Sequence, residues 1–280
     1  MNNGHSDKTP KLEFIVNRYD DGSQGVFDWG LERHSLFERF YSADELADPK
    51  LAAHELKNII QEDPEFIAAY NSLGSWEIES QNYGNAKSFF EEAFLIGRRL
   101  IPENFDGEII WGDIDNRPFL RAMYGLGVCF QLTHENEKAL QLFHKILKYN
   151  KNDNQGARFL AIQSNLTLGR FNKVIDICNK YDEDISADTM YGRVLAYYKL
   201  SKFQKAQNSL KNAIEQLPLV AQELAKKRHK EIKSEYPGSV TWGGADEAYE
   251  YWRRVGQFWT DYNLIDFLKK GIDSYSSKNR

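Results

Sequence analysis

The side chains best placed for chemistry in this sequence are four carboxylates in one polar stretch, Asp106, Glu108, Asp113 and Asp115. Carboxylate oxygens on a flexible loop are the ligands that a hard cation such as Ca²⁺ prefers. Their spacing matches no EF-hand pattern, so the sequence favours a solvated acidic loop over a metal site. A metal-dependent enzyme centred on these carboxylates stays open as an alternative.

Other patterns that would indicate catalysis are missing from the sequence. The histidines are scattered without the His-Glu-x-x-His spacing of a zinc site. Ser72 and Ser75 flank Gly74, but no Gly-x-Ser-x-Gly surrounds either serine, and Cys129 has no base partner nearby. We therefore expect no catalytic residue, no metal and no cofactor, and we expect that the protein is not an enzyme.

The charge of the chain also limits its partners. Its formal net charge is −5, which is unlike the basic footprint of a protein that binds a phosphate backbone. The basic run at 226–230 is flanked by glutamates, so we expect a solvated helix face there. No stretch reaches the roughly 20 apolar residues of a membrane span, and the start has no signal-peptide core. These features predict a cytoplasmic protein without nucleic-acid binding or membrane insertion.

A helical pattern that recurs along the chain organises these residues. It starts at Tyr83, Asn136, Phe171 and Phe203, and in each copy small and large apolar residues follow at helical spacing. The intervals from Asn136 to Phe171 and from Phe171 to Phe203 are close to the roughly 34 residues of a tetratricopeptide (TPR) helix-turn-helix unit. The first interval is longer by about 19 residues, which indicates an insertion between the first two units.

The pattern divides the sequence into three parts. We expect an N-terminal tail and docking segment at 1–30, with a short apolar run at 12–16 that is a strand or a docking element. Helical repeats follow at 31–218, with a loop insertion at 97–115 that packs back through its Ile-Ile-Trp cluster. A helical cap rich in aromatic residues follows at 219–280, with its first helix over 219–235. We expect the repeats to form one elongated domain.

With the repeats placed, the chain resembles tetratricopeptide-repeat proteins over about 50–218. Segments 116–126, 152–160 and 243–251 are in addition similar to bacterial repeat proteins related to the suppressor-of-tumorigenicity-seven family. The resemblance implies an all-α, TPR-like right-handed superhelix (an α-solenoid) with helical caps, and it implies no established reaction.

The resemblance also implies a concave groove that the first helix of each repeat lines. Carried onto this sequence, the groove positions include Asn71, Ser75, Arg121, Tyr124, Gln131, Phe159, Gln163, Asp188, Tyr191 and Tyr198. Aromatic side chains give contact area at low entropic cost, and amides bond to an extended peptide backbone. A protein or peptide is thus the expected partner and a scaffold or adaptor the expected role. Self-association through the aromatic cap and action as a secreted bacterial effector stay open.

Overall fold

The computed structural model of the chain describes residues 11–234 and 239–278. Two compact units make up the chain, one that ends at Ala157 and one that begins at Arg158. Helices dominate both units, so the fold is all-α with TPR-like helical repeats, as the sequence predicted. The boundary between the units lies inside the segment that the sequence assigned to one repeat array.

The first unit begins with a small sheet and continues as helices. Strands β1 (Glu13–Tyr19) and β2 (Gly22–Asp28) form an antiparallel hairpin, which places the apolar run at 12–16 in a strand. The helices are α1 (His34–Asp44), α2 (Pro49–Glu62), α3 (Ile67–Glu79), α4 (Tyr83–Arg98), α5 (Arg117–Leu132) and α6 (Asn136–Tyr149).

The second unit continues the helical pairs and ends in shorter elements. Its helices are α7 (Ala157–Thr167), α8 (Phe171–Lys180), α9 (Ala187–Lys199), α10 (Phe203–Gln216), α11 (Pro218–Leu224), α12 (Ala245–Val255) and α13 (Tyr262–Lys278). The prediction of a helix over 219–235 is therefore wrong. Helix α11 ends at Leu224, and the basic run at 226–230 lies outside a helix.

The same type of turn connects the two helices in each of four pairs, α3–α4, α5–α6, α7–α8 and α9–α10. One residue adopts a left-handed conformation two positions before the second helix, and the four residues are Gln81, His134, Gly169 and Ser201, with φ between 57° and 67°. The amide of the residue that follows donates to a carbonyl five positions back, which satisfies the end of the first helix. Glycine adopts this conformation without strain, so only the turn at Gly169 was visible in the sequence.

The recurring apolar positions form the core that holds each pair together. In every copy the apolar residues three and seven positions after the start are buried, as Ala86 and Phe90 are in the first copy and Ala206 and Leu210 in the last. The burial of these positions explains the sequence pattern, because a helix must present its apolar stripe to its partner helix.

The insertion packs against the hairpin. Glu108 pairs with the outer edge of β2, where its amide donates to Ser23 O at 2.9 Å and its carbonyl accepts from Gly25 N at 2.8 Å. The buried side chain of Asn116 continues that edge, because it accepts from Phe27 N at 3.1 Å and donates to Gly25 O at 3.1 Å. Ile109 is fully buried, and its amide donates to Tyr149 O at 2.8 Å, so this part of the insertion packs against α6.

Candidate functional site

A cavity in the first unit lies between α3 and α5, and its floor depends on two glycines. Phe90 of α4 fills the space beneath Gly74 of α3 and Gly125 of α5. A Cβ atom at Gly74 would lie 2.7 Å from the Phe90 ring, and one at Gly125 would lie 2.2 Å from it. Only residues without a side chain allow this approach, so both glycines serve close packing, as the sequence indicated.

The most deeply buried polar side chain of the cavity is Asn71. Its Nδ2 donates to the carbonyl of Pro118 at 2.8 Å, which ties α3 to the first turn of α5. Its Oδ1 is buried and has no hydrogen-bond partner. A buried acceptor left without a donor costs about 1–3 kcal/mol. Ser75 lies one turn further along α3, and its hydroxyl donates to Asn71 O at 3.0 Å.

Arg121 and Tyr124 lie on the α5 side of the cavity. The guanidinium of Arg121 is 5.5 Å from the centre of the Trp111 ring, and that of Arg117 is 5.3 Å from the same ring. Cation–π contacts of this kind hold a charged group in place without neutralising it. The ring of Tyr124 is 6.3 Å from that of Phe143 in the core.

The cavity measures about 530 Å³, within the usual range for ligand pockets. Its walls are mainly apolar and aromatic, with a few polar groups. Four of the predicted groove residues line this cavity together: Asn71, Ser75, Arg121 and Tyr124. The sequence indicated this grouping only through the resemblance to TPR proteins. The lining also includes Phe40, Trp76 and Glu79, which sequence reasoning did not assign to the groove.

Other predicted groove residues have structural contacts in the second unit. Tyr191 is fully buried, and its hydroxyl lies 2.7 Å from Leu217 O and 3.2 Å from Ala213 O. Burial raises the pKa of Tyr191 well above its usual value. Asp188 is buried and accepts two hydrogen bonds from Arg254, at 2.8 and 2.7 Å. Neither side chain offers a surface to a peptide, because each is used to join α9 to neighbouring elements.

The remaining predicted residues are not among those that line the first-unit cavity. Phe159 lies under the guanidinium of Arg158 at 4.1 Å, and Gln163 Nε2 donates to Arg254 O at 3.4 Å. Tyr198 packs on Phe267 of α13 and lines a separate cavity of about 830 Å³ in the second unit. Gln131 is half-buried near the end of α5 and does not line the first-unit cavity.

Two acidic side chains of the insertion, those of Glu108 and Asp113, have structural contacts. Glu108 pairs with Lys151 at 2.5 Å, and the Asp113 side chain accepts from Asp115 N at 3.2 Å. Desolvation by burial raises the pKa of Asp115, with a further contribution from the charge of Asp113. Within 11–234 and 239–278, no group of three or more His, Cys, Asp or Glu side chains is arranged to hold a metal ion.

Both cysteines are packing residues in the helical cores. Burial raises the pKa of Cys129 to about 11 and that of Cys178 to about 12. A thiol nucleophile needs its thiolate form near neutral pH, so these values oppose nucleophilic chemistry at either sulfur. None of the helices in the described part of the chain has the length and hydrophobicity of a membrane-spanning segment.

Two solved structures resemble the chain in part. The crystal structure of YrrB, "a TPR protein with an unusual peptide-binding site", aligns with a TM-score of 0.48 and 20% identity over 65% of this chain and 81% of that one. The crystal structure of BtubC (BKLC) from P. vanneervenii aligns with a TM-score of 0.44 and 13% identity over 86% and 92% of the two chains. No curated protein matches the sequence significantly.

A family model matches residues 27–280, from the second strand of the hairpin to the C-terminal end of the sequence. The match corrects the finer resemblance drawn from the sequence, since this family is not the suppressor-of-tumorigenicity-seven family. Its span takes in both compact units, including the aromatic segment expected to act as a cap. The chain belongs to the family described as Tcf25, transcriptional repressor TCF25.

Proposed function

We propose that this protein is a non-enzymatic interaction scaffold that binds an extended peptide in the α3–α5 cavity. One observation carries the proposal: Asn71 is buried in the cavity lining, and its Oδ1 has no hydrogen-bond partner. A polar atom in that state is stabilised when a ligand donates to it, and a peptide backbone supplies an N–H group at every residue except proline.

The rest of the lining fits the side chains of such a peptide. Phe40, Trp76 and Tyr124 provide aromatic walls for a large apolar side chain, which gains free energy as it leaves water. Arg121 is exposed at the edge of the cavity and can donate to a peptide carbonyl or carboxylate. The proposed contacts are thus one apolar peptide side chain against the aromatic walls, and peptide-backbone groups that bond to Asn71 and Arg121.

The experiment tests the cavity by filling it. Ser75→Trp places an indole in the cavity from an exposed position on α3. Ser88→Trp is the matched control, because Ser88 is also an exposed helical serine that donates to the carbonyl four residues back, and it lies outside the cavity. A random peptide library displayed on phage is selected on the wild-type protein, and the enriched peptides are synthesised and titrated against all three proteins.

We expect the enriched peptides to bind the wild type and Ser88→Trp with equal affinity and to bind Ser75→Trp at least tenfold more weakly. Circular dichroism and melting curves establish that both variants fold. Failure of the library to enrich any peptide, or equal binding to a folded Ser75→Trp protein, contradicts the proposal.

The family description suggests the setting in which the scaffold acts. Because the net charge is −5, we propose that any part in transcriptional repression proceeds through contacts with other proteins and not through the DNA backbone. The test tethers the chain to a reporter promoter through a heterologous DNA-binding domain. We expect repression by the wild type and by Ser88→Trp, and its loss in Ser75→Trp. Equal repression by all three proteins would separate repression from the cavity.

A further inference from the structure

The basic run at 226–230 folds back onto α12 instead of continuing a helix. The imidazole of His229 stacks on the indole of Trp252, with ring centres 3.7 Å apart and planes 11° from parallel. Its Nδ1 lies 2.8 Å from Oε1 of Glu223, a side chain of α11 that is only 2% exposed. Lys226 donates to the other oxygen of the same carboxylate. A buried carboxylate with two basic partners thus fixes the path of this segment.

This folding brings basic side chains from three elements around one cavity of about 610 Å³ in the second unit. Its cationic side chains come from the segment after α11, from the end of α12 and from α13: Lys226, Lys227, Arg253 and Lys269. The imidazole of His229 also lines the cavity. Its apolar lining comes from Leu224 and Trp259, which are buried, and from Ile265, which is half-buried. Tyr262, which is 82% exposed, also belongs to the lining.

Two of these cations have no partner in the part of the chain that the structure describes. Arg253 pairs with Glu250 at 2.6 Å, and the one carboxylate of the lining, Asp266, pairs with Lys270 at 2.7 Å. Lys227 and Lys269 are both exposed and make no ion pair within 11–234 and 239–278. The cavity therefore combines an apolar lining with unpaired positive charge, in a protein whose net charge is negative.

We infer that this cavity binds a short acidic peptide that carries one large apolar side chain. The apolar side chain packs on Leu224, Trp259 and Ile265, and carboxylates beside it pair with Lys227 and Lys269. Salt limits electrostatic attraction to about 8 Å under physiological conditions, so a short peptide is sensitive mainly to the local basic walls. A long polyanion such as single-stranded nucleic acid also meets the acidic remainder of the protein, which disfavours it. This site is independent of the α3–α5 cavity.

The experiment measures fluorescence anisotropy of a fluorescein-labelled peptide in which one tryptophan is flanked on each side by two glutamates. A second peptide has glutamine at all four flanking positions, and a ten-nucleotide single-stranded DNA is the third probe. The test variant is Lys227→Glu with Lys269→Glu. The control variant is Lys199→Glu with Lys202→Glu, which makes the same charge change at exposed positions of the same unit outside the cavity lining.

We expect the acidic peptide to bind the wild type and the control variant alike, and to bind the test variant at least tenfold more weakly. We also expect the glutamine peptide to bind at least tenfold more weakly than the acidic one, and raised salt to reduce only the binding of the acidic one. We expect Ser75→Trp to leave this binding unchanged, which would separate the two sites. Absence of acidic-peptide binding at 0.5 mM protein, equal binding to the folded test variant, or tighter binding of the DNA overturns the inference.

Discussion

Neutralising Asp63 should destabilise the first unit through a buried arginine. Arg33 is fully buried, and its Nε donates to Asp63 Oδ2 at 2.5 Å. Its two terminal nitrogens donate to Trp29 O at 3.0 Å and to Glu65 Oε2 at 3.3 Å. These contacts connect the segment after the hairpin to the turn between α2 and α3.

The expected loss of stability depends on which hydrogen-bond acceptors Arg33 keeps in the variant. Loss of one partner of a buried ion pair costs about 3–5 kcal/mol, because the other charge stays buried without compensation. In Asp63→Asn, Glu65 and Trp29 O still accept from Arg33, so we expect the lower end, about 3 kcal/mol. In a unit of this size, 1 kcal/mol shifts Tm by about 2–4 °C, which gives a fall of about 6–12 °C.

The matched control is Glu62→Gln, at the adjacent residue. Glu62 pairs with Arg39 at 2.5 Å, but the two side chains are 57% and 39% exposed. An exposed pair contributes about 0–1 kcal/mol, so Tm should fall by less than about 4 °C. Calorimetry gives both values, and hydrogen exchange shows whether the loss of protection lies in the first unit. Equal shifts for the two variants would refute the argument from burial.

Three further predictions concern packing, acid stability and thiol reactivity. Gly125→Ala should lower the free energy of unfolding by about 1–3 kcal/mol, because its Cβ would lie 2.2 Å from the Phe90 ring. In the control Gly84→Ala, the new Cβ meets no atom within 4 Å, so this variant should stabilise α4. Denaturant titration measures the free energy of unfolding of both variants. Hydrogen bonds from Lys138 and Lys87 lower the pKa of Glu135 from 4.5 to about 2. Its stabilising contribution is therefore present above pH 4.5 and lost as pH falls towards 2, so the Tm difference between the wild type and Glu135→Gln should vanish over that interval. Burial raises the pKa of Cys178 to about 12, so a thiol reagent at pH 8 should label it only after denaturation, as mass spectrometry would detect.

The sequence was informative where a local pattern has one physical solution. Small and large apolar residues at helical spacing, repeated at a TPR-like interval, require paired helices that bury one stripe each, and the structure has these pairs. Gly74 and Gly125 were recognisable as packing positions because a glycine inside a helix costs stability and needs a reason. The turns at Gln81, His134 and Ser201 were hidden, since a left-handed residue without glycine carries no sequence signal.

The candidate sites depended on contacts between residues distant in sequence. Position in the repeat placed Asn71 and Arg121 in one cavity, but the same rule also chose Tyr191, which the structure buries against α10 and α11. Repeat position gives the face of a helix, whereas the elements packed on that face decide whether a side chain reaches solvent.

What the sequence determined by itself was the class of elements, their order and their apolar faces, because helix pairing depends on local spacing. What only the tertiary structure decided was which polar and charged groups meet. The contact of His229 with Glu223 and Trp252, and the pairing of Arg33 with Asp63, join residues from different elements. Burial of such groups depends on three-dimensional packing, for which a single sequence contains no periodic signal.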